Sequence, residues 1–288
     1  MRLGARPLVL ALCVVSAACG GDEGRGGDDT SLLAAGDIAA CWWRGDEATA
    51  RLLDRYGGIV ATVGDNVYPS GSADQFARCY HPTWGRHLER TRPAVGNHEY
   101  KTKDAKGYFD YFGARAGPRG KGWYSYDHDG WHLVVLNSEL DLDEGSEQIR
   151  WLRNDLRTHP TRCTLAYFHH PGFSSGRYRE RNRPPALWRT LYDNGVDVVL
   201  AGHDHHYERF AKLTPDGWAD PVRGIRQFIV GTGGAPSYRV GRRIAHSEAM
   251  AVDIRGVLRM VFHPDSYEWE FVPVAGRAFH DRGRDRCH

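Results

Sequence analysis

Five apolar, strand-like runs of this 288-residue chain are each followed by a polar group that can bind a metal ion. These groups are Asp37, Asp65, Asn97-His98, His169-His170 and His203-x-His205. In open α/β sheets, ligands bind outside the carboxyl ends of the strands. The side chains that follow the five runs are therefore expected to converge on one place.

The residue types in these groups indicate a metal site. An Asp after a strand is usually a helix cap and an Asn is usually a turn residue, so each group alone has a simpler explanation. A mixed Asp, Asn and His set of this size is instead typical of sites for divalent or trivalent metal ions. Glycine directly precedes four of the groups, at positions 36, 64, 96 and 202. Glycine there permits a sharp turn and the close approach of a ligand or of other backbone.

The order of apolar runs predicts the fold class. Predicted strands and helices alternate from residue 31 to residue 202, with helices at 46–56, 145–159 and 184–194. After residue 202, antiparallel strands are predicted at 227–230, 249–254, 258–263 and 268–272. This order favours a layered α/β fold whose sheets mix parallel and antiparallel strands. We expect a single domain over residues 31–288, with the polar tail 276–288 lying on the surface.

Residues 1–18 have the pattern of an export signal. Arg2 and Arg6 precede an apolar run, and the small residues Ser16-Ala17-Ala18 follow it. The sequence Ser-Ala-Ala-Cys-Gly resembles a bacterial lipoprotein signal, in which Cys19 would be lipidated and would anchor the protein to a membrane. Plain secretion after ordinary cleavage is the alternative. Residues 19–30 are Gly-rich and polar, which is typical of a flexible tether.

Four cysteines remain beyond Cys19, and an even number in an exported protein suggests two disulfides. They are Cys41, Cys79, Cys163 and Cys287. Of the three possible pairings we favour Cys41–Cys79 with Cys163–Cys287, and free buried cysteines are the alternative. A structural zinc site is disfavoured because no Cys-x-x-Cys spacing occurs.

The charge balance excludes one class of function. The chain has 38 Lys+Arg and 36 Asp+Glu, a formal net charge of +2. Dedicated nucleic-acid-binding proteins usually have a strong basic excess, so no nucleic-acid partner is expected. No apolar run of 18 or more residues occurs beyond the N-terminal segment, which excludes a multi-span membrane protein.

The polar groups and their neighbours resemble the calcineurin-like metallophosphoesterases in content and order. The matching motifs are Gly36-Asp37, Gly64-Asp65-Asn66-Val67-Tyr68, Gly96-Asn97-His98-Glu99, His169-His170-Pro171 and Gly202-His203-Asp204-His205. Tyr68 and the run Tyr207-Glu208-Arg209 resemble the purple acid phosphatase branch in particular. The resemblance implies a layered sandwich of two mixed β-sheets flanked by helices.

The resemblance also implies a role for each polar group. The first metal ion, typically ferric iron, would be held by Asp37, Tyr68 and His205. The second, typically zinc, manganese or ferrous iron, would be held by Asn97, His169 and His203. Asp65 would bridge the two ions. His98 would contact the phosphate and support the leaving group, while His170 would either face the substrate or pack in its loop.

These roles predict an enzyme. The expected activity is the hydrolysis of phosphate monoesters, as in acid phosphatases, by a hydroxide bound to two metal ions, with a small phosphorylated molecule as substrate. A phosphodiesterase on the same scaffold is the first alternative, and a non-catalytic, metal-binding surface lipoprotein is the second. The loops 69–90, 100–122 and 172–185 are expected to form the substrate pocket. Their many aromatic residues are expected to pack beneath the loops, with an aryl-binding platform as the alternative.

Overall fold

The computed structural model describes Met1 and residues 30–177 and 184–288. The proposed lipidation site Cys19, the rest of the predicted signal and the tether up to residue 29 lie outside the described residues. Within the described ranges, no helix has both the length and the apolar character needed to cross a bilayer.

Strands and helices alternate along the first two thirds of the described chain, as the apolar runs predict. The strands are β1 (Ser31–Ala35), β2 (Ala39–Ala40), β3 (Ile59–Val63), β4 (Val67–Tyr68), β5 (Thr91–Ala94), β6 (Tyr124–His128), β7 (Trp131–Val135), β8 (Cys163–Tyr167), β9 (Val198–Ala201), β10 (Tyr207–Leu213), β11 (Ile225–Val230), β12 (Ser247–Ala251), β13 (Gly256–His263), β14 (Ser266–Pro273) and β15 (Arg282–Arg286). The α-helices are α1 (Gly45–Leu53), α2 (Ala73–Gln75), α3 (Lys106–Phe112), α4 (Glu147–Thr158) and α5 (Pro185–Asp193). Further helical segments that are not α-helical span Phe76–Tyr80, Trp84–Arg90, Glu99–Lys101, Lys103–Ala105 and Gly113–Ala116.

Two large mixed sheets form the centre of the fold. The first has the strand order β15-β14-β13-β1-β3-β5, and the second has the order β12-β10-β11-β9-β8-β7-β6. The strands β1, β3 and β5 are parallel neighbours in the first sheet, and β7, β8, β9 and β11 are parallel neighbours in the second. The remaining neighbours in both sheets are antiparallel. The prediction of a layered α/β fold with two mixed sheets is therefore confirmed.

Apolar side chains bury both faces of each sheet. In β1, Leu32 packs between the two sheets, whereas its neighbour Leu33 packs against α1 on the outer face. The outer face of the second sheet packs against Ile149 and Leu152 of α4 and Leu187 of α5. The order of layers is therefore helix, sheet, sheet, helix. Strands buried on both faces have continuous apolar sequences, which is why the apolar runs located them.

The structure corrects one prediction about the later strands and adds a strand. β11 was predicted to be antiparallel, but it pairs in parallel with β9 as well as antiparallel with β10. This direction places the carboxyl end of β11 at the same edge of the sheet as that of β9. Val230, the last residue of β11, accepts a hydrogen bond there from the N–H of Gly36. The polar tail lies mainly at the surface, as expected, but its residues 282–286 also form the edge strand β15, which was not predicted.

The favoured disulfide pairing is confirmed. Cys41 is bonded to Cys79, and Cys163 is bonded to Cys287. The second bridge joins the start of β8 in one sheet to the residue that follows β15 in the other. The aromatic residues of the 69–122 loops, including Trp84, are mainly buried in the core beneath those loops, as expected.

Candidate metal centre

Three of the predicted site residues have an unusual backbone conformation. Asp37, Asp65 and His203 have φ angles of 57°, 49° and 68°. Non-glycine residues in this left-handed region cost about 1–3 kcal/mol each and cluster at functional sites. Each of the three lies within two residues of a strand end. The conformation turns the chain sharply at each of these strand ends.

The glycines beside these residues leave room for the polar side chains. A Cβ atom added to Gly96 would lie 2.4 Å from Oδ1 of Asp65. One added to Gly64 would lie 2.5 Å from Nδ1 of His169, and one added to Gly202 would lie 2.7 Å from Oδ2 of Asp37. A close approach to these glycines was expected from the sequence. The atoms that approach them are those of the site's own side chains.

A first group of donor atoms surrounds the Tyr68 hydroxyl. Its Oη lies 2.7 Å from Oδ1 of Asp37 and 3.0 Å from Nε2 of His205. Oδ1 of Asp37 lies 3.1 Å from Nε2 of His205. Burial, Asp37 and Asp65 raise the pKa of Tyr68 well above its usual value, so phenolate formation here needs a strongly polarising cation.

A second group of donor atoms lies around the Asn97 amide. Its Oδ1 is 3.1 Å from Nε2 of His169 and 3.0 Å from Nδ1 of His203. The two imidazole nitrogens are 3.3 Å apart. Ligand atoms bonded at about 2.0–2.2 Å to one metal ion lie roughly 3 Å apart, and both groups have that spacing.

Asp65 lies between the two groups. Its Oδ2 is 2.9 Å from Oη of Tyr68 in the first group and 3.4 Å from Nε2 of His169 in the second. Its other oxygen, Oδ1, accepts a hydrogen bond of 2.8 Å from the N–H of His98. This position allows one carboxylate to contact ions in both groups.

Backbone carbonyls orient two of the histidines. Nδ1 of His169 lies 2.9 Å from the carbonyl of Val63, and Nδ1 of His205 lies 2.7 Å from the carbonyl of Pro236. Such partners fix the tautomer of a metal-binding histidine and aim the other nitrogen at the ion. In both residues, that other nitrogen is the one facing the carboxylates.

The electrostatics of the site also fit metal ions. Asp37 and Asp65 are almost fully buried. Burial alone would raise the pKa of Asp65, but His169 lowers it well below its usual range. Burial alone would lower the pKa of His169, but Asp65 raises it to about 10. Two buried carboxylates require positive charge beside them, and a pair of metal ions would supply it.

His98 and His170 lie at the rim of this cluster. The His98 ring is 4.2 Å from the Tyr68 ring, and its Nε2 is 3.9 Å from Oδ2 of Asp65. The His170 ring is 4.3 Å from that of His203, and its Nδ1 is 2.9 Å from Oε1 of Glu139. Both imidazoles therefore border the cluster, and neither packs away from it.

The structure adds Glu99, to which the sequence analysis assigned no role. Its buried carboxylate accepts hydrogen bonds from the N–H groups of Gly96, at 2.8 Å, and Val67, at 3.2 Å. Burial and the nearby Asp65 raise the pKa of Glu99 to about 8. It ties the loop that carries Asn97 to β4, which carries Tyr68. Its position directly after Asn97-His98 was the one feature of the sequence that could have indicated this role.

Two more buried carboxylates hold the loop after His170. Oδ2 of Asp204 accepts a hydrogen bond of 2.6 Å from the Ser174 hydroxyl. Oε2 of Glu208 accepts one of 2.9 Å from the N–H of Ser175. The segment after the last histidine pair thus positions the loop that follows His169-His170, although the sequence alone did not reveal this pairing.

Comparison with known proteins places these features in a family. The family model described as calcineurin-like phosphoesterase matches residues 30–207, more than half of the chain. Purple acid phosphatase 15 of Arabidopsis thaliana is 31% identical over 170 residues, which cover 52% of this chain and 32% of that protein. Purple acid phosphatase 21 of Arabidopsis thaliana is 32% identical over 224 residues, which cover 69% of this chain and 49% of that protein. The chain thus spans less than half the length of these curated relatives.

The fold is also found in a solved structure. A purple acid phosphatase from yellow lupin (Lupinus luteus) seeds matches with a TM-score of 0.75 and 18% sequence identity. The match covers 88% of this chain and 53% of that chain. At this identity the similarity establishes the shared fold.

Proposed function

Because this chain belongs to the calcineurin-like phosphoesterase family, we propose that it is a purple acid phosphatase-like enzyme that hydrolyses phosphate monoesters at a binuclear metal centre. The observation that carries the proposal is the position of Asp65. Its Oδ2 lies 2.9 Å from Oη of Tyr68 and 3.4 Å from Nε2 of His169, between two groups of donor atoms. Two ions held by such groups would activate water and neutralise the charge of a phosphate.

The two groups of donor atoms suit different ions. The first ion would be held by Asp37, Tyr68 and His205, and the second by Asn97, His169 and His203. A phenolate with a carboxylate favours a hard ion, which supports ferric iron in the first position. Two imidazoles with an amide oxygen suit zinc, manganese or ferrous iron in the second. Asp65 would contact both ions.

The chain's own residues at the rim would handle the substrate. Nδ1 of His98 lies 2.8 Å from the carbonyl of Pro69, which orients the ring. In the imidazolium form, in which both ring nitrogens carry a proton, its Nε2 could donate a proton to the leaving oxygen of a bound ester. His170, held between Glu139 and the hydroxyl of Ser138, would contact the phosphate from the other side of the cluster.

The proposal includes the protein's location. Disulfides persist in oxidising compartments, so Cys41–Cys79 and Cys163–Cys287 support export. We propose that Cys19 carries a lipid anchor and that the catalytic domain begins at residue 31, after the tether. Secretion without an anchor is the alternative.

Monoester preference tests the proposed reaction. The assay would use protein that starts at Gly20 and is loaded with iron plus zinc or manganese. We expect kcat/KM for p-nitrophenyl phosphate to exceed that for bis-p-nitrophenyl phosphate by at least about tenfold. The reason is that a monoester has one more negative charge to place between two cations. His205→Ala should abolish this activity, and the exposed His280→Ala should retain it.

Other outcomes would identify the alternatives. Faster cleavage of the diester would make the protein a phosphodiesterase. Cleavage of neither ester by folded, metal-loaded protein would contradict the phosphatase proposal and favour a metal-binding surface protein.

A further inference from the structure

A second cluster of metal-binding side chains lies at the far edge of the second sheet. His132 is at the start of β7, so it lies at the amino ends of the parallel strands, opposite the candidate metal centre. Asp155 is in the last turn of α4, and His159 directly follows that helix. The cluster therefore joins the end of α4 to the β6–β7 hairpin and shares no residue with the centre described above.

The donor atoms of this cluster are close together. Nε2 of His132 lies 2.9 Å from Oδ2 of Asp155, and Nδ1 of His159 lies 3.4 Å from Oδ1 of the same carboxylate. One ligand atom from each of the three residues lies within 4.8 Å of the others. Ligands bonded to zinc at about 2.0–2.1 Å in a tetrahedron are about 3.3 Å apart, and the two contacts to the Asp155 carboxylate are already near that spacing. Nδ1 of His159 also lies 2.9 Å from the backbone carbonyl of Asp155, a contact that it would give up on binding an ion.

His132 contacts two carboxylates at once. Nδ1 lies 2.7 Å from Oδ1 of Asp127, and Nε2 lies 2.9 Å from Oδ2 of Asp155. A neutral imidazole has a single N–H, so it can satisfy only one of these contacts. The side chain of His132 is 1% exposed, which leaves little access for water. The other contact therefore requires a cation, either a second proton or a metal ion.

The surroundings favour a metal ion. When Nδ1–H of His132 donates to Asp127, the lone pair of Nε2 faces Asp155, which is the carboxylate–histidine–metal arrangement of protein metal sites. The Ser125 hydroxyl donates to Oδ1 of Asp155 at 2.8 Å and orients that carboxylate. The side chain of His159 is 46% exposed, so the cluster is accessible from solvent and a water molecule could complete the coordination.

We propose that His132, Asp155 and His159 form an additional site for a divalent transition-metal ion such as zinc, with Asp127 orienting His132. Two imidazoles and one carboxylate suit zinc, with water in the fourth position. The ion would fasten the end of α4 to β7, because Asp155 belongs to α4 and His132 belongs to β7. This role is structural and independent of the proposed phosphatase reaction.

Metal content tests this site without an activity assay. We would dialyse the intact protein and its His159→Ala variant against the same zinc buffer and measure zinc per chain by mass spectrometry. We expect His159→Ala to hold about one zinc ion fewer per chain. His280→Ala, which removes an exposed histidine elsewhere, should match the unmodified protein.

A thermal measurement gives a second readout. The protein is first loaded with metal at the candidate metal centre. Adding zinc at about a hundredfold excess over its dissociation constant for the additional site should then raise the melting temperature by roughly 5 °C. His159→Ala should lose this rise and retain its hydrolysis of p-nitrophenyl phosphate. Equal zinc content and equal melting shifts in the two proteins would overturn the proposal and assign the positive charge at His132 to a proton. That result would leave the phosphatase proposal untouched.

Discussion

Replacing Asp65 by Asn is expected to lower kcat/KM for p-nitrophenyl phosphate by roughly a thousandfold or more. Asn has nearly the same shape, but it removes a negative charge and replaces one oxygen acceptor by an NH₂ group. Oδ2 of Asp65, the oxygen between the two groups of donor atoms, lies 2.9 Å from Oη of Tyr68 and 3.4 Å from Nε2 of His169. The variant should therefore lose the proposed bridge between the two ions and hold less metal.

The matched control is Asp216→Asn, which removes the same charge from an exposed position. It should keep full activity and full metal content. Thermal unfolding of both variants would show whether the Asp65 variant is still folded. If folded Asp65→Asn protein kept more than about a tenth of the activity, the bridging role of Asp65 would be wrong.

Removing the Cys163–Cys287 bridge is expected to have the largest effect on stability. In the chain-entropy model, a bridge across 124 residues stabilises the folded state by about 5 kcal/mol, against about 4 kcal/mol for the 38 residues between Cys41 and Cys79. Cys163→Ala/Cys287→Ala should therefore lower the free energy of unfolding by about 1 kcal/mol more than Cys41→Ala/Cys79→Ala.

Urea unfolding of the oxidised protein and the two double variants measures this difference. The two bridges also differ in position, because Cys163 and Cys287 connect the two sheets and are buried, whereas Cys41 is exposed. Loss of the buried pair also leaves a cavity in the core, which adds to its effect. If removing the Cys41–Cys79 bridge were the more destabilising change, loop length would not govern the contribution of the disulfides.

The convergence of the polar groups could be predicted from sequence because it depends on strand ends alone. Parallel strands buried on both faces are continuous apolar runs, so β1, β3, β5, β8 and β9 were recognisable. Their carboxyl ends must then meet at one edge. The residues that follow them, among them Asp37, Asp65 and His203, lie together for that reason. At the glycines in positions 64, 96 and 202, an added side chain would collide with a side chain of the site.

The later strands were harder to predict because their charged residues are satisfied by distant partners. β10 contains Glu208 and Arg209, and a local pattern does not indicate that both lie in a mostly buried strand. Glu208 accepts hydrogen bonds from Ser175, and Arg209 pairs with Asp281, 72 residues away. The direction of β11 depends likewise on a long-range pairing with β9.

The cluster around His132 was missed for a related reason. His132 and Asp127 lie opposite each other across the β6–β7 hairpin, but Asp155 and His159 come from α4 and the residue after it. No fixed spacing in the sequence joins the four residues. Only the packing of α4 on the second sheet brings Asp155 to His132.

The most direct test of the central claim, that this chain hydrolyses phosphate esters with two metal ions, is the activity of the same preparation before and after metal removal. Treatment with a chelator under reducing conditions that spare the disulfides should lower p-nitrophenyl phosphate hydrolysis to about 1% or less, and returning iron with zinc should restore it. Hydrolysis that continues undiminished in folded, metal-free protein would contradict the claim.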